Sequence, residues 1–244
     1  MASDNFLFAT DGVCLDHSFS ISRKDARNEI KKGSVTIDNT VIKDAAFKVP
    51  PKAEVTLCGK KAEYKKYIYV MLNKPQGILS ASTDKQRETV VDLVYRTHKR
   101  NGLFPVGRLD KDTTGFLIVT DDGDFGHKVM SPKNMVEKEY FVKVDKPITN
   151  EGIKVLESGV TLADKTKCRP AKVKHLDNTG EYLSIVITEG KYHEIKRMLG
   201  VVGAGVVSLH RHRIAGVVLD EKLKEGEFRE LTDDELMVLA NSLK

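Results

Sequence analysis

Residues 105–123 read PVGRLDKDTTGFLIVTDDG, and the rest of the chain is interpreted around this stretch. A short apolar run ends at Gly107, and Arg108 and Asp110 follow within three positions. A polar turn then leads into a β-branched strand over residues 116–120, which an Asp-Gly turn signal closes. Catalytic residues are often found on loops that a rigid scaffold holds. Asp110 is therefore the candidate catalytic residue.

The composition is that of a soluble globular protein. The chain has 244 residues, 40% hydrophobic and 31% charged, which accommodates one large or two modest domains. No apolar run approaches the ~20 residues that cross a bilayer. The first ten residues hold Asp4 and no basic segment, so no signal peptide is expected. Cys14, Cys58 and Cys168 are widely spaced, which predicts free thiols in a reducing cytoplasm rather than a disulfide or zinc framework.

The net charge of +5 is unevenly distributed along the chain. Residues 1–20 hold three acids and no Lys or Arg, which gives −3. Residues 21–66 hold twelve Lys and Arg against six Asp and Glu, which gives +6, and the remainder contributes +2. A basic segment on a near-neutral body suggests a module that binds a polyanion.

A helix is predicted to begin after Ser22, its N-cap, and to end at Gly33. Its cations recur every four residues and form a basic stripe: Arg23, Arg27 and Lys31. Strands are predicted over residues 34–38, 40–42 and 55–57. Such a stripe is either a solvated helix face or an RNA contact, and the hairpin that follows it favours RNA.

Residues 59–66 are short, polar and basic, which indicates a linker between a domain of residues 1–58 and one of residues 67–244. In the second domain, strands are predicted over residues 67–72, 116–120, 139–144, 171–176, 182–188, 206–211 and 217–219. Helices are predicted over 89–95, 149–158 and 193–202, and a last helix begins with a capping box of Thr232 and Glu235. Strands without regular helical crossovers predict an α+β fold, with a mixed, mainly antiparallel sheet flanked by helices.

Several motifs now match one family. The residues GRLDKDTTG at 107–115, followed by an apolar strand and TDDG at 120–123, resemble the catalytic motif of RNA pseudouridine synthases. EKEY at 137–140 resembles the family's Lys-x-Tyr segment, and EGKYHEIKRM at 189–198 resembles its third motif, with Glu in place of the usual Gln. NKPQG at 73–77 fits as well. The resemblance runs from residue 21 to the end of the chain.

The N-terminal part resembles an S4 RNA-binding domain, through SRKDAR at 22–27 and IKKGSVTID at 30–38. Residues 5–8 read NFLF, where S4 domains usually have an Arg-Leu-Asp-Lys type of stretch. Within the synthases that carry this domain, the TDDG turn is most similar to enzymes that act on small-subunit ribosomal RNA. Their large-subunit relatives tend to have Asn at the position of Asp121.

The resemblance implies a role for each matching residue. Asp110 would be the nucleophile, Lys196 its cationic partner, and Tyr140 a ring that stacks on the target base and takes part in proton transfer. Ile195 would pack on the other side of the base, and Arg108 would contact RNA or hold the flipped nucleotide. Further candidates for RNA backbone contacts are Lys138, Arg197, Arg211 and Arg213. The histidines His193, His210 and His212 are interpreted as RNA-facing or structural.

The expected function is therefore the isomerisation of one uridine to pseudouridine in small-subunit ribosomal RNA or an assembly intermediate, by a cytoplasmic monomer. This reaction needs no redox change, so no cofactor or metal is expected, in agreement with the lack of a phosphate loop or dinucleotide fingerprint. The alternatives are the same reaction on large-subunit RNA, or a non-catalytic S4-type ribosome-assembly factor. A calcium loop starting at Asp110 fits less well, because position nine is Ile118 and position twelve is Asp121. Whether Asp110 attacks C1′ or C6, and which group removes the C5 proton, stay open.

Overall fold

A computed structural model describes residues 19, 21–47, 49–50, 53–62 and 65–243 of the chain. They form two compact units. The first holds the described residues of Met1–Tyr67 together with Val94–Gly102, and the second holds those of Ile68–Leu93 and Leu103–Lys244. Within the described residues, no helix has the length and apolar character needed to span a membrane. The predictions for residues 5–8 and Cys14 lie outside the described residues.

Among the described residues of the first unit, a helix packs with a small antiparallel sheet. Its elements are α1 (Arg23–Lys32), β1 (Val35–Ile37), β2 (Thr40–Ile42), β3 (Val55–Leu57) and β4 (Lys60–Lys61), with the strand order β2-β1-β3-β4. The predicted caps are confirmed: Ser22 Oγ accepts the N–H of Asp25 at 3.1 Å, and Gly33 ends the helix with a φ of 80°. Ala26 and Ile30 face the core of this unit. Two residues of the segment predicted as a linker pair with β3 as β4.

The second unit is built on one large sheet. Its strands are β5 (Tyr69–Lys74), β6 (Phe104–Val106), β7 (Thr114–Thr120), β8 (Lys138–Val144), β9 (Lys172–His175), β10 (Tyr182–Ile187), β11 (Val206–Ile214), β12 (Val217–Val218) and β13 (Phe228–Glu230). Its helices are α3 (Gly123–Met130), α4 (Asn150–Ser158), α5 (Glu194–Val201) and α6 (Asp233–Asn241), and α2 (Val90–His98) spans the division between the units along the chain.

The order in this sheet is β13-β5-β7-β11-β8-β10-β9, with β6 beside β7 and β12 beside β11. Strands β7 and β11 pair in parallel, and every other pair with a described register is antiparallel. The predicted α+β class and the mixed, mainly antiparallel sheet are thus confirmed. The capping box at the start of α6 is also present, since Thr232 and Glu235 each accept the other's N–H.

Some elements were not predicted. The Asp-Gly pair after β7 was interpreted as a turn, but Asp122 accepts the N–H of Phe125 at 3.0 Å and caps α3. The same residue types satisfy a turn and a helix N-terminus, so the local pattern did not distinguish them. The edge strand β13 and strand β6 are only three residues long, too short for an alternating pattern to stand out.

The parallel pairing of β7 with β11 depends on Gly115. This glycine lies opposite Arg211 and has a φ of 100°, a backbone conformation that other residues rarely adopt. A Cβ at this position would lie 2.4 Å from the carbonyl oxygen of Arg211. The two strands approach this closely only because residue 115 has no side chain.

Gly115→Ala is therefore expected to lower the free energy of unfolding by on the order of 3 kcal/mol or more, since strain and a backbone clash add. Chemical denaturation followed by circular dichroism measures this. Gly123→Ala is the control, because a Cβ at Gly123 meets nothing within 4 Å, and its change should stay within about 0.5 kcal/mol. Equal effects of the two substitutions would contradict the explanation.

Candidate active site

Asp110 lies on the loop between β6 and β7, as the sequence predicted. The N–H of Thr113 donates to the carbonyl oxygen of Asp110 at 3.1 Å, which closes a turn directly after it. The loop begins at Gly107, which has a φ of 82°, and a Cβ there would lie 2.5 Å from Sδ of Met130. The side chain of Asp110 is 30% exposed, so its carboxylate is accessible without being fully solvated.

The segment after β5 holds this loop by hydrogen bonds. Ser80 Oγ donates to the carbonyl of Leu109 at 2.9 Å and accepts its N–H at 3.1 Å. The N–H of Gly77 donates to the carbonyl of Lys111 at 2.8 Å. The backbone is thereby fixed on both sides of Asp110.

Lys74 is fully buried below the same loop. Its ammonium donates to three carbonyl oxygens, those of Thr113 at 2.9 Å, Pro75 at 3.1 Å and Lys111 at 3.4 Å. Burial lowers the pKa of Lys74 to about 8, and the carboxylates of Asp112 and Asp110 oppose this. Three acceptors match the three N–H groups of an ammonium, so Lys74 places a hydrogen-bonded cation beneath the loop.

Lys196 pairs with two carboxylates of the loop. Its Nζ lies 3.3 Å from Oδ2 of Asp110, and 2.7 and 2.8 Å from the two oxygens of Asp112. Burial alone would lower the pKa of Lys196, but the bonds to Asp112 and Asp110 outweigh it and raise this pKa. The same bond lowers the pKa of Asp112. Lys196 is thus a firmly charged partner for Asp110, which agrees with the sequence prediction that these residues meet.

Tyr140 is held in β8 by a buried arginine. Arg211, 2% exposed, lies opposite Tyr140 on β11 and donates from Nη1 to its hydroxyl at 3.4 Å. Its Nε donates to the carbonyl of Phe116 on β7 at 2.6 Å. One guanidinium therefore bonds to both strands that flank β11.

The predicted residues meet in one cleft. It encloses about 420 Å³ of empty space, counting its open mouth, and Arg108, Asp110, Tyr140, His193, Ile195 and Lys196 are part of its lining. Asp110 comes from the β6–β7 loop, Tyr140 from β8, and the others except Arg108 from α5 and its N-cap. The cleft combines a carboxylate, a cation, an aromatic ring and an apolar side chain, which suits a flat base attached to a sugar.

A pair of buried carboxyl groups lies at the start of α5. Glu189 accepts the Lys191 ammonium and the N–H of Arg169, at 2.6 and 2.7 Å, and these bonds outweigh burial and lower its pKa. Glu194 accepts only the N–H of Lys191, at 2.9 Å, and its other oxygen has no partner among the described residues. Burial, with a contribution from Glu189, raises the pKa of Glu194 to about 7. Cys168 joins this pair within 4.8 Å, but protein donors already occupy both oxygens of Glu189.

The cations predicted to contact RNA differ in their placement. Arg108 is exposed at the cleft. Arg197 forms an ion pair with Asp164 at 2.5 Å and donates to the carbonyl of Tyr192 at 3.3 Å, so it also fixes the loop before α5. Arg27 and Lys31 are exposed on α1, and the side chain of Arg23 lies outside the described part of the structure.

The predictions for Lys138 and Arg211 need correction, and Arg213 is engaged by an ion pair. Lys138 is only 4% exposed and donates to the carbonyl of Val136 at 3.0 Å, so it is not placed to contact RNA. Burial, followed by the nearby Arg211, lowers the pKa of Lys138 to about 8. Arg211 is likewise buried, and Arg213 is ion-paired with Glu139 at 2.7 Å. The strand pattern around these cations did not reveal which of them face inward.

Sequence reasoning missed the residues that support the site. Lys74 and Gly77 belong to the NKPQG motif, which was noted without a role, and Ser80 lies three residues further on. His193 was interpreted as RNA-facing or structural, yet its Nε2 is 3.4 Å from Oδ1 of Asp110. Only the positions of these residues within the motifs pointed to them.

Comparison with known proteins gives two family matches. Residues 68–200 match the family described as RNA pseudouridylate synthase, and residues 11–55 match the S4 domain. The first match covers more than half of the chain and includes every residue of the cleft named above.

Individual relatives agree with this. An uncharacterized RNA pseudouridine synthase of Bacillus subtilis (strain 168) is 45% identical, over 89% of this chain and 92% of the relative. Ribosomal small subunit pseudouridine synthase A of Escherichia coli (strain K12) is 37% identical, over 88% of this chain and 93% of the relative. A crystal structure of a pseudouridylate synthase superposes with a TM-score of 0.67 at 33% identity, covering 92% of this chain and 96% of that one.

The raised pKa of Glu194 predicts a pH-dependent stability. Between about pH 4.5 and 7 the folded state binds more protons than the unfolded state, so the free energy of unfolding falls as the pH rises through this window. Glu194→Gln removes this effect. It should therefore match the wild type near pH 4.5 and exceed its stability at pH 8 by on the order of 3 kcal/mol.

Denaturant unfolding of both proteins at several pH values measures this difference. Glu221→Gln is the control, since Glu221 is exposed, and it should leave the pH profile unchanged. A constant difference between Glu194→Gln and the wild type at all pH values would contradict the prediction.

Proposed function

We propose that this chain, which belongs to the RNA pseudouridylate synthase family, converts one uridine of small-subunit ribosomal RNA to pseudouridine with Asp110 as its nucleophile. The chain is an RNA pseudouridine synthase by its family, and the target and the residue roles are the proposal. One observation carries the roles: Asp110 contacts Lys196 at 3.3 Å in a cleft that Tyr140 also lines. These residues come from three separate segments of the chain.

Asp110 is suited to attack on the nucleotide. The reaction breaks the N1–C1′ bond, turns the base and joins C5 to C1′, and an ionised carboxylate is a suitable nucleophile or electrostatic partner. Lys196 and the buried Lys74 place positive charge near this carboxylate. The hydrogen bonds of Ser80 and Gly77 keep the loop in place before RNA binds.

The remaining lining is assigned to the base. Tyr140 and Ile195 are both mostly buried and line the cleft, where they would contact the flipped base from two sides. Unstacking a base from structured RNA costs a few kcal/mol. Stacking on an aromatic ring returns ~1–3 kcal/mol. Arg108, exposed at the cleft, would contact the RNA backbone.

Small-subunit RNA is favoured as the target by relatives named ribosomal small subunit pseudouridine synthase A, which are 37–38% identical over 88% of this chain. The same reaction on large-subunit RNA is the runner-up. A non-catalytic assembly factor would have no need for the ion pair of Asp110 and Lys196 in an open cleft. The form of the substrate, which is either naked RNA or an assembly intermediate, stays a prediction. The monomeric state and the cytoplasmic location stay predictions as well.

The S4-like segment is proposed to bind RNA. The proposed division of the chain is an S4-like domain of residues 1–58, a linker of residues 59–66 and a catalytic domain of residues 67–244. Arg27 and Lys31, two members of the stripe predicted from the sequence, are exposed on α1. Lys196 and Arg108 add positive charge at the cleft. Phosphate contacts of this type give affinity and register rather than sequence specificity.

The test of the function is a map of pseudouridine in all ribosomal RNA from cells with and without this gene. One pseudouridine of small-subunit RNA should disappear in the deletion strain, and the wild-type gene should restore it. Asp110→Asn should fail to restore it while still binding the RNA, because an amide cannot act as the anionic nucleophile.

Asp112→Asn is the matched control, since Asp112 lies on the same loop and pairs with the same lysine but is 60% exposed. It should keep the modification. A pseudouridine that disappears from large-subunit RNA instead would favour the runner-up target. Activity of Asp110→Asn equal to the wild type would contradict the assignment of the nucleophile.

The basic stripe makes a separate prediction. Arg27→Glu combined with Lys31→Glu should weaken RNA binding, and should lower the slope of log affinity against log salt by about one for each phosphate that is no longer neutralised. Filter binding at several salt concentrations measures both. Lys154→Glu with Lys174→Glu makes the same charge change at exposed positions on α4 and β9. Equally weakened binding by the two double variants would mean that the stripe has no specific role.

A further inference from the structure

His193 lies against the carboxylate of Asp110. Its Nε2 is 3.4 Å from Oδ1, while Lys196 contacts the other oxygen at 3.3 Å. We propose that His193 is a further catalytic residue, which accepts the proton that leaves C5 of the target base. This inference rests on the proposed function, since it assumes that Asp110 acts on a uridine in this cleft.

The reaction requires a proton acceptor near Asp110. Once the C5–C1′ bond has formed, C5 still carries its hydrogen. The C5–H bond then breaks, its electron pair restores the double bond of the ring, and the proton passes to the imidazole, while N1 gains a proton. One proton leaves and one arrives, so no co-reactant is needed. Because C5 bonds to the carbon on which Asp110 acts, the acceptor must lie within a few Å of that carboxylate.

The other charged groups of the cleft are poor acceptors. Lys196 is ion-paired with two carboxylates, and Lys191 with Glu189 at 2.6 Å, so carboxylates already engage both ammonium groups. Arg108 is a guanidinium and does not deprotonate in proteins. Glu194 turns one oxygen to the N–H of Lys191, and its other oxygen is buried.

Tyr140 is the remaining titratable group of the lining. Its hydroxyl receives a hydrogen bond from the buried Arg211, and a phenol is a weaker base near neutral pH than an imidazole. Imidazole is the side chain that ordinarily changes its charge between pH 5 and 8. Among the described residues that line the cleft, His193 thus combines proximity to Asp110 with an imidazole side chain, the commonest proton acceptor in general base catalysis.

The backbone holds this histidine in an unusual conformation. His193 is the N-cap of α5, with φ 48° and ψ 38°, and its side chain makes no capping bond. The ring instead stacks on Tyr192, with centroids 3.9 Å apart and an angle of 20° between the planes. Arg197 fixes the carbonyl of Tyr192 at 3.3 Å. A left-handed conformation is unfavourable at a residue with a Cβ, and here it accompanies a ring directed at Asp110 rather than at the helix end.

The charges around His193 suit a temporary cation. Asp110 from the β6–β7 loop would stabilise the imidazolium, while Asp112 of the same loop is bonded to Lys196. Lys196, one turn along α5, opposes it. The contact with Asp110 would thus stabilise the ring while it carries the proton.

His193→Asn tests the proposal, because Asn tolerates left-handed backbone and does not titrate near neutral pH. With the ribosomal RNA substrate, kcat should fall by on the order of 100-fold, while KM and RNA affinity stay within about threefold of the wild type. If the imidazole accepts the proton, kcat of the wild type should rise with pH between about pH 5 and 8, and this rise should be absent in the variant. Deuterium at C5 of uridine should slow the reaction. The ratio of the rate with hydrogen to the rate with deuterium should be larger for the variant than for the wild type. His127→Asn, at an exposed position on α3, should change none of these readouts.

A kcat within threefold of the wild type would overturn the proposal. So would a loss confined to KM, or an isotope ratio and pH profile equal to those of the wild type, since each would leave His193 a structural or RNA-binding role. The wild-type reaction separates this failure from that of the proposed function. If the wild type forms no pseudouridine in ribosomal RNA, the proposed function fails, and this inference with it.

Discussion

The buried guanidinium of Arg211 links the three strands on which the cleft is built. It lies on β11, bonds to the backbone of β7 through Phe116, and bonds to the hydroxyl of Tyr140 on β8. The Asp110 loop leads directly into strand β7. The guanidinium of Arg211 therefore links the strand next to the proposed nucleophile with the strand that carries Tyr140. This arrangement depends on Gly115, because any side chain there would collide with the backbone of Arg211. The position of the buried charge, the register of the strands and the distance between them at the centre of the sheet therefore depend on one another.

Positive charge is concentrated beneath and beside the partly exposed carboxylate of Asp110. Lys74 is buried below the loop, and Lys196 is shared between Asp110 and Asp112. Burying a cation is unfavourable unless it is well hydrogen-bonded, and three carbonyls of the loop region meet that need for Lys74. Burying Lys74 thus lowers stability but places a cation beneath a site that would bind a polyanion.

Much of this was predictable from the sequence, and the exceptions have physical causes. The motifs around Asp110, Tyr140 and Lys196 predicted residues that do meet in one cleft, and the strand pattern predicted the class of sheet. The helix after Asp122 was missed because an Asp-Gly pair suits a turn and a helix cap equally. Lys138 and Arg211 were misplaced because alternation along a strand shows that one face is inward but not that a cation occupies it. Burial of a charge is decided by partners from distant segments, which one local pattern does not contain.

The three-point attachment of the Asp110 loop has a consequence for motion. Leu109, Lys111 and Thr113 are all bonded to β5 or the segment after it, so the loop has few conformations to lose when a ligand arrives. Binding therefore costs the Asp110 loop little conformational entropy, and most of the rearrangement on binding takes place in the polynucleotide. Slow steps on the microsecond-to-millisecond scale would then report the nucleotide entering the cleft rather than a lid closing over it.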